Sequence, residues 1–266
     1  MPAATTGPDR NPRRLLNLPV PPVVVGGSGG SGTRLVAQVL RWLGVDLGAP
    51  LNGAGDAMAL VPLYDRHIGA VLGAGAVDLA ALGSDLEACL RRHVSPFPPR
   101  RPWGWKNPRS IYLLPWLDRL LPGMVFVHVI RHGLDIATSA NQNQLHRHGD
   151  AVLGPGWRGQ PLPLASVRLW AVVNGRAADY GRRMGTRYVQ VRYEDLCRDF
   201  QGAVRRLAVQ LGLVPPPGPC PVPLAPAPPR WPALEPGLRQ RLIEAAGPQL
   251  QRFGYLEPCD AGEFRQ

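Results

Sequence analysis

The sequence predicts an α/β protein in three layers, with a central parallel sheet flanked by helices on both faces. Three observations carry this. Short β-branched runs alternate along the chain with longer stretches whose apolar residues recur at helical spacing. The first such run, at residues 23–25, leads straight into a glycine-rich turn and then a helix start. The chain has 266 residues, 45% of them hydrophobic, enough for one large domain with its own core. Strands that alternate with helices imply a parallel sheet, because each parallel connection needs a crossover.

Taken in order, Val23, Val24 and Val25 form the first buried strand. Leu35, Val36, Val39, Leu40 and Leu43 then mark one face of a helix ending at Gly44. Residues 49–57 are glycine-rich and polar, hence a loop, and helices are expected over 58–72 and 84–93. A proline-rich connector at 95–102 leads to a short strand over 103–107 and a helix over 109–121, closed by Pro122-Gly123. The clearest strand covers 124–130 and ends at Arg131-His132-Gly133, with helical pattern resuming at Leu134. Residues 145–163 hold several Gly, Pro, His and Arg and are expected to be an irregular insertion. A long helix around Trp170 (164–184), a third strong strand (188–193) and a helix (200–211) follow. Proline fills half of residues 215–236, which excludes a helix interior or a central strand there. A last helix covers 237–252. The expected organisation is a loose arm at 1–21, one domain at 22–256 with the proline-rich loop inside it, and a tail at 257–266. No internal repeat is visible.

Formal net charge is +11, supplied almost wholly by arginine. Such a surplus favours an anionic partner, although an arginine-, proline- and alanine-rich composition also follows from a GC-rich genome. No zinc-finger spacing or aromatic RNA-binding signature is present, so no nucleic-acid partner is expected. Cys89, Cys197, Cys220 and Cys259 lie far apart with no C-x-x-C pair, which argues against zinc or a disulfide framework and for reduced thiols. No stretch reaches transmembrane length, and the N-terminal arginines precede no signal-peptide core, so a cytoplasmic location is expected.

Five of the seven residues 26–32 are glycine, a loop that lines up backbone N–H groups at a helix N-terminus and suits a phosphate. Gly27, Gly29 and Gly32 spell a dinucleotide fingerprint, with Asp46 as ribose acceptor about twenty residues on. Gly27 and Gly32 also have the outer spacing of a P-loop, but Thr33 and Arg34 stand where its Lys-Ser/Thr would be. The loop fits a phosphate without fitting an ordinary nucleoside triphosphate.

Three further segments combine with it: Gly104-Trp105-Lys106-Asn107-Pro108-Arg109, Val129-Ile130-Arg131-His132-Gly133 running on to Ser139, and Val191-Arg192-Tyr193-Glu194-Asp195-Leu196. Their order and spacing resemble the sulfotransferases that use 3′-phosphoadenosine 5′-phosphosulfate (PAPS), closest to the bacterial and tyrosylprotein branches, over about residues 23–211. The resemblance implies a fold related to the P-loop kinases and transfer of a sulfuryl group to a hydroxyl or amine, with release of 3′,5′-ADP and no metal. It implies that Gly29, Gly30, Ser31, Gly32 and Thr33 wrap the 5′-phosphosulfate end, with Arg34 beside them. Arg131, at a strand end, and Ser139, inside the next helix, would hold the 3′-phosphate, Arg131 forking two of its oxygens. Tyr193 would approach the adenine, and Arg230, in the late proline-rich loop, would fold over the cofactor.

One departure concerns charge. The family carries Lys or Arg immediately before its Ser-Gly-Thr, and here that position is Gly30. Lys106 falls at the place of the tyrosylprotein branch's catalytic lysine and Arg34 is the other candidate cation. For the base, the stretch where that branch has Glu offers Asp56, with His67 the nearest imidazole. The acceptor is left as a small molecule, glycan or peptide, with residues 142–163 expected to help choose it, and the oligomeric state is left open. Two other functions compete: an NAD(P)-dependent oxidoreductase, which leaves Arg131, Ser139 and Lys106 unexplained, and a basic nucleic-acid-binding protein, which leaves all the motifs unexplained.

Overall fold

A computed structural model describes residues 20–73, 76–94, 101–224 and 228–256. The expected arm, apart from residues 20 and 21, and the expected tail lie outside these residues, as does most of the 95–102 connector.

Four parallel strands form one sheet in the order β2-β1-β3-β4. They are β1 (Val23–Gly27), β2 (Gly104–Lys106), β3 (Val125–Ile130) and β4 (Tyr188–Arg192). The register sets Val25 against Lys106 on one side of β1 and Gly27 against Val129 on the other, while Ile130 lies against Arg192. Every strand therefore ends at one carboxyl edge, and the glycine loop, Lys106 and Arg131 all leave from it.

The period-2 alternation of the strands sorts their side chains to two helical layers. Val23, Val25, Val127, Val129, Val189 and Val191 pack on one face, against α1 (Thr33–Trp42), α8 (Tyr193–Arg198) and α9 (Phe200–Gln210). Val24, Trp105 and Phe126 face the opposite layer. That layer holds α2 (Val61–Leu72), α3 (Leu79–His93), α4 (Leu114–Leu120), the long α7 (Leu162–Met184) and α10 (Pro236–Arg252), with α5 (Gly133–Ala137) at the edge.

Two local expectations change. Residues 145–163 are not irregular throughout, because α6 (Asn143–Leu153) forms before a 3₁₀ turn at Pro155–Gly159. Leu145 and His148 are buried, so a tertiary face overrides the poor local propensity. The helix expected over 109–121 is split into a 3₁₀ turn, Pro108–Leu113, and α4, each with a proline in its first turn.

A chain of buried polar groups ties the sheet to the glycine loop. Asn174 Nδ2 donates to Trp170 O at 2.7 Å and to Ser28 Oγ at 3.0 Å, so its Oδ1 is the acceptor facing His128 Nε2 at 2.7 Å. His128 is then protonated at Nε2, and its Nδ1 accepts from Tyr188 OH at 2.5 Å. Burial holds the His128 imidazole neutral, down at about 4, with the Asn174 bond opposing that shift. His132 and His148 are likewise pushed to about 4, chiefly by burial. Below the ordinary histidine value the unfolded chain takes up protons that these folded sites refuse. Their contribution to stability is therefore complete above about pH 6.5 and falls away as pH drops towards 4. Each such group adds a slope of about 1.4 kcal/mol per pH unit inside that window. Urea unfolding between pH 7 and 5 should show the decline, and His128→Gln should flatten it by about one proton. A pH-independent midpoint across that range would contradict the neutral, buried assignment.

Candidate active site

The glycine loop is shaped by close approach. A side chain at Gly27 would run into the carbonyl of Val129 on the neighbouring strand. Gly32 has φ +96°, and a Cβ there would lie 2.6 Å from the ring of Tyr193. Ser31 N–H closes the turn onto Ser28 O at 3.1 Å, and Gln144 Nε2 donates to Gly27 O at 3.1 Å. α1 begins with Gly32 as its N-cap, with no side-chain cap and no acidic residue in its first turn. Ser31 is fully buried, and its Oγ has no hydrogen-bond partner. Among the described residues, an uncapped helix N-terminus thus stands beside a buried hydroxyl with no partner, a set of donors that suits an anion.

Arg131 leaves the end of β3 and lies 4.6 Å above the Tyr193 ring. Tyr193 thus touches both Arg131 and the glycine loop, and Gly30 faces Ser139, whose Oγ lies 3.5 Å from where a Cβ would be. Ser139 does not sit inside a helix as expected. α5 stops at Ala137, and Gln142 Nε2 takes the carbonyls of Ile136 and Ser139, which caps the helix and turns the chain.

The guanidinium of Arg131 pairs with Asp135 at 2.9 Å, with side chains 11% and 3% exposed. The other oxygen of Asp135 accepts from the backbone N–H groups of Arg230 and Trp231, and Arg230 donates to Asp135 O at 2.7 Å. Arg230 is thereby fixed on α5 rather than hanging from a linker. Trp231 stacks on His132, ring centroids 4.9 Å apart and planes 10° from parallel. Arg131, Tyr193, His132 and Trp231 line a cavity of about 310 Å³.

Lys106, at the end of β2, is 2% exposed and donates to Ala54 O at 2.7 Å and to Asp56 Oδ1 at 2.5 Å. It is the only lysine in the chain. Burial pulls its pKa down, the Asp56 carboxylate pulls it back up, and Arg34 and Arg41 add to the lowering. Asn52 braces Asp56 from the other side, its Nδ2 reaching Oδ2 at 3.1 Å. Beneath β2, Trp105 Nε1 donates to Tyr64 OH at 3.0 Å and holds the strand from behind. Arg34 is exposed in the first turn of α1. His67 lies on α2, bonded to Asp85 at 2.7 Å. Asp46 accepts from Gly48 N–H at 2.9 Å and pairs with Arg101 at 3.6 Å, so a ribose would find it already engaged.

The model of the Sulfotransferase family matches residues 56–216. The chain belongs to the sulfotransferase family. Among solved structures this sulfotransferase is similar to a sulfotransferase from Alicyclobacillus acidocaldarius at TM-score 0.55 and 17% identity, covering 88% of this chain and 94% of that one. It is also similar to the sulfotransferase domain of the Synechococcus PCC 7002 olefin synthase, at TM-score 0.50 and 19% identity over 91% of this chain and 97% of that one. The sulfotransferase domain from the curacin biosynthetic pathway matches at TM-score 0.50 and 15% identity, over 90% of this chain and 99% of that one. No curated protein matches. The glycine loop precedes the matched segment, which opens at Asp56.

Sequence reasoning gave no role to Asn174, His128 and Gln144, which hold the loop from behind, or to Asp135, which pairs with Arg131 and the late loop. A single Asn or Gln inside a helical pattern carries no periodic signal. Among the described residues no group of His, Cys, Asp and Glu could hold a metal, and no helix is long and apolar enough to cross a membrane.

Proposed function

We propose that this sulfotransferase takes its sulfuryl group from PAPS and passes it to a hydroxyl or amine of a small-molecule, glycan or peptide acceptor, leaving 3′,5′-ADP. One observation carries the reading: Tyr193 touches both Gly32 and Arg131, so two anion-binding elements stand one aromatic ring apart. A donor with phosphate at both the 5′ and 3′ ends fits that pair; a nucleotide with phosphate at one end uses half of it.

The residues present fit the donor. The α1 N-terminus and the orphaned Ser31 hydroxyl suit its phosphosulfate end, with Thr33 adjacent. Arg131 has five N–H donors and spends two of them on Asp135, leaving three for a 3′-phosphate, with Ser139 near Gly30 as the second donor. The cavity between Tyr193 and Trp231 suits a nucleoside.

When bound, PAPS supplies the sulfuryl group and accumulates negative charge at the 5′-phosphate oxygen as the bond to sulfur breaks. Lys106 carries three protons and gives two to Ala54 and Asp56, so the third is free to meet that charge. Asp56 fixes the ammonium in place and keeps it protonated against burial. The acceptor's proton passes to a carboxylate, and Asp56 is the base assigned here over His67 because it lies against Lys106, whereas His67 pairs with Asp85. Arg34 takes the position nearest the family's loop cation, which Gly30 replaces.

Calorimetry with 3′,5′-ADP and 5′-AMP tests the donor. Charge-assisted hydrogen bonds contribute about 1.5–3 kcal/mol each, so 3′,5′-ADP should bind at least tenfold tighter. Arg131→Ala should erase most of that difference while leaving 5′-AMP nearly unchanged. Equal affinities in the native protein would overturn the assignment.

Turnover tests the cation. Lys106→Ala should lower the rate of transfer from labelled PAPS by about 10²-fold or more, the scale of losing one transition-state donor, with 3′,5′-ADP affinity little changed. Near-full activity in Lys106→Ala together with a loss in Arg34→Ala would move the role to Arg34.

A further inference from the structure

One large cavity among the described residues lies away from the glycine loop. It measures about 570 Å³ and lies between the 3₁₀ turn at Pro108–Leu113, α4, the end of α2 and the second half of α7. It runs along one side of the sheet, from the 3₁₀ turn that follows β2 to the part of α7 that leads into β4. Neither Lys106, Asp56, Arg131 nor any residue of the glycine loop lines it.

Its walls have the make-up of a small-molecule site: apolar and aromatic surface with a few charged groups at the rim. Leu114 and Val173 are buried in the floor, and Tyr112, Trp116 and Tyr180 supply rings. Tyr180 is locked, its hydroxyl donating to Asp118 Oδ2 at 3.0 Å. The charge is one-sided. Asp118 also holds Arg187, and Asp179 is shared by Arg182 and Arg252 at 2.9 Å each. Arg176 and Arg183 line the same cavity, and neither has a carboxylate partner among the described residues. They stand seven residues apart on α7, two helical turns, and therefore on one face. Two exposed, uncompensated guanidinium groups beside three aromatic rings form a site whose missing element is an anion attached to a flat apolar body.

We infer that this cavity is a second ligand site, separate from the sulfuryl-transfer site, that binds an aromatic carboxylate, sulfonate or sulfate of about two fused rings. The rings of Tyr112, Trp116 and Tyr180 take the body, and Arg176 and Arg183 take the anionic group. Tyr112 and Val173 are shared with a small void beside Ser28 and Gly29, so an occupant would rest against the back wall of the glycine loop without entering it.

The probe is 1-anilinonaphthalene-8-sulfonate, followed by fluorescence on the full chain, with uncharged N-phenyl-1-naphthylamine as the comparison. The sulfonate should bind with 1:1 stoichiometry and at least tenfold tighter than the neutral dye. The double variant Arg176→Ala/Arg183→Ala changes only exposed side chains. It should weaken the sulfonate at least tenfold and leave the neutral dye unchanged. Ala177→Trp, which fills the cavity, should abolish binding of both. Saturating 3′,5′-ADP should not displace the sulfonate. Absence of sulfonate binding, an affinity unmoved by the double variant, or competitive displacement by 3′,5′-ADP would each overturn the inference. Only the 3′,5′-ADP displacement rests on the proposed donor; the dye titrations and the variants do not, so the two readings fail separately.

Discussion

The pairing of β1 with β3 fixes the site. Gly27 lies against Val129, so the glycine loop leaves its strand almost level with Arg131 leaving its own. The approach is close enough that only glycine fits at position 27. A one-residue slip would turn every strand side chain to the opposite layer, exchanging Val24 and Phe126 with Val25 and Val127. The two cores differ in shape and content, one holding Trp103, Trp105 and Tyr64 and the other mainly valine and leucine. The register is therefore specified by packing on both faces, and the placement of the glycine loop beside Arg131 follows from it.

The buried polar chain from Tyr188 through His128 and Asn174 to Ser28 adds a second restraint. Each member is satisfied, and the order of donors and acceptors is fixed by the Trp170 carbonyl, which can only accept. Such a network costs stability when broken and so holds the loop in one arrangement. On the other side of the loop, Gln144 holds Gly27 O and Tyr193 packs against Gly32. The glycine loop is thus held from behind by buried side chains and in front by Tyr193, which also lines the neighbouring cavity.

Much of this was legible in the sequence. The three long strands, the helix after the glycine loop and Arg131 at a strand end follow from apolar runs and from residues that punctuate them. The pairing of Lys106 with Asp56 joins two candidates picked separately, fifty residues apart. What the sequence did not reveal depends on tertiary contact. α6 forms where Gly and His argue against a helix because Leu145 and His148 are buried in it. α5 ends short of Ser139 because the Gln142 side chain takes its last carbonyls. Asp135 carries no signal of its own in the sequence, yet its side chain is 3% exposed and fastens the late loop to Arg131.

Amide hydrogen exchange with and without 3′,5′-ADP tests most directly whether one ligand spans these elements. The account predicts slower exchange together in peptides covering residues 27–35, 131–141 and 193–197, with peptides covering 173–183 unchanged. Protection confined to the glycine loop, or appearing first around 173–183, would contradict it.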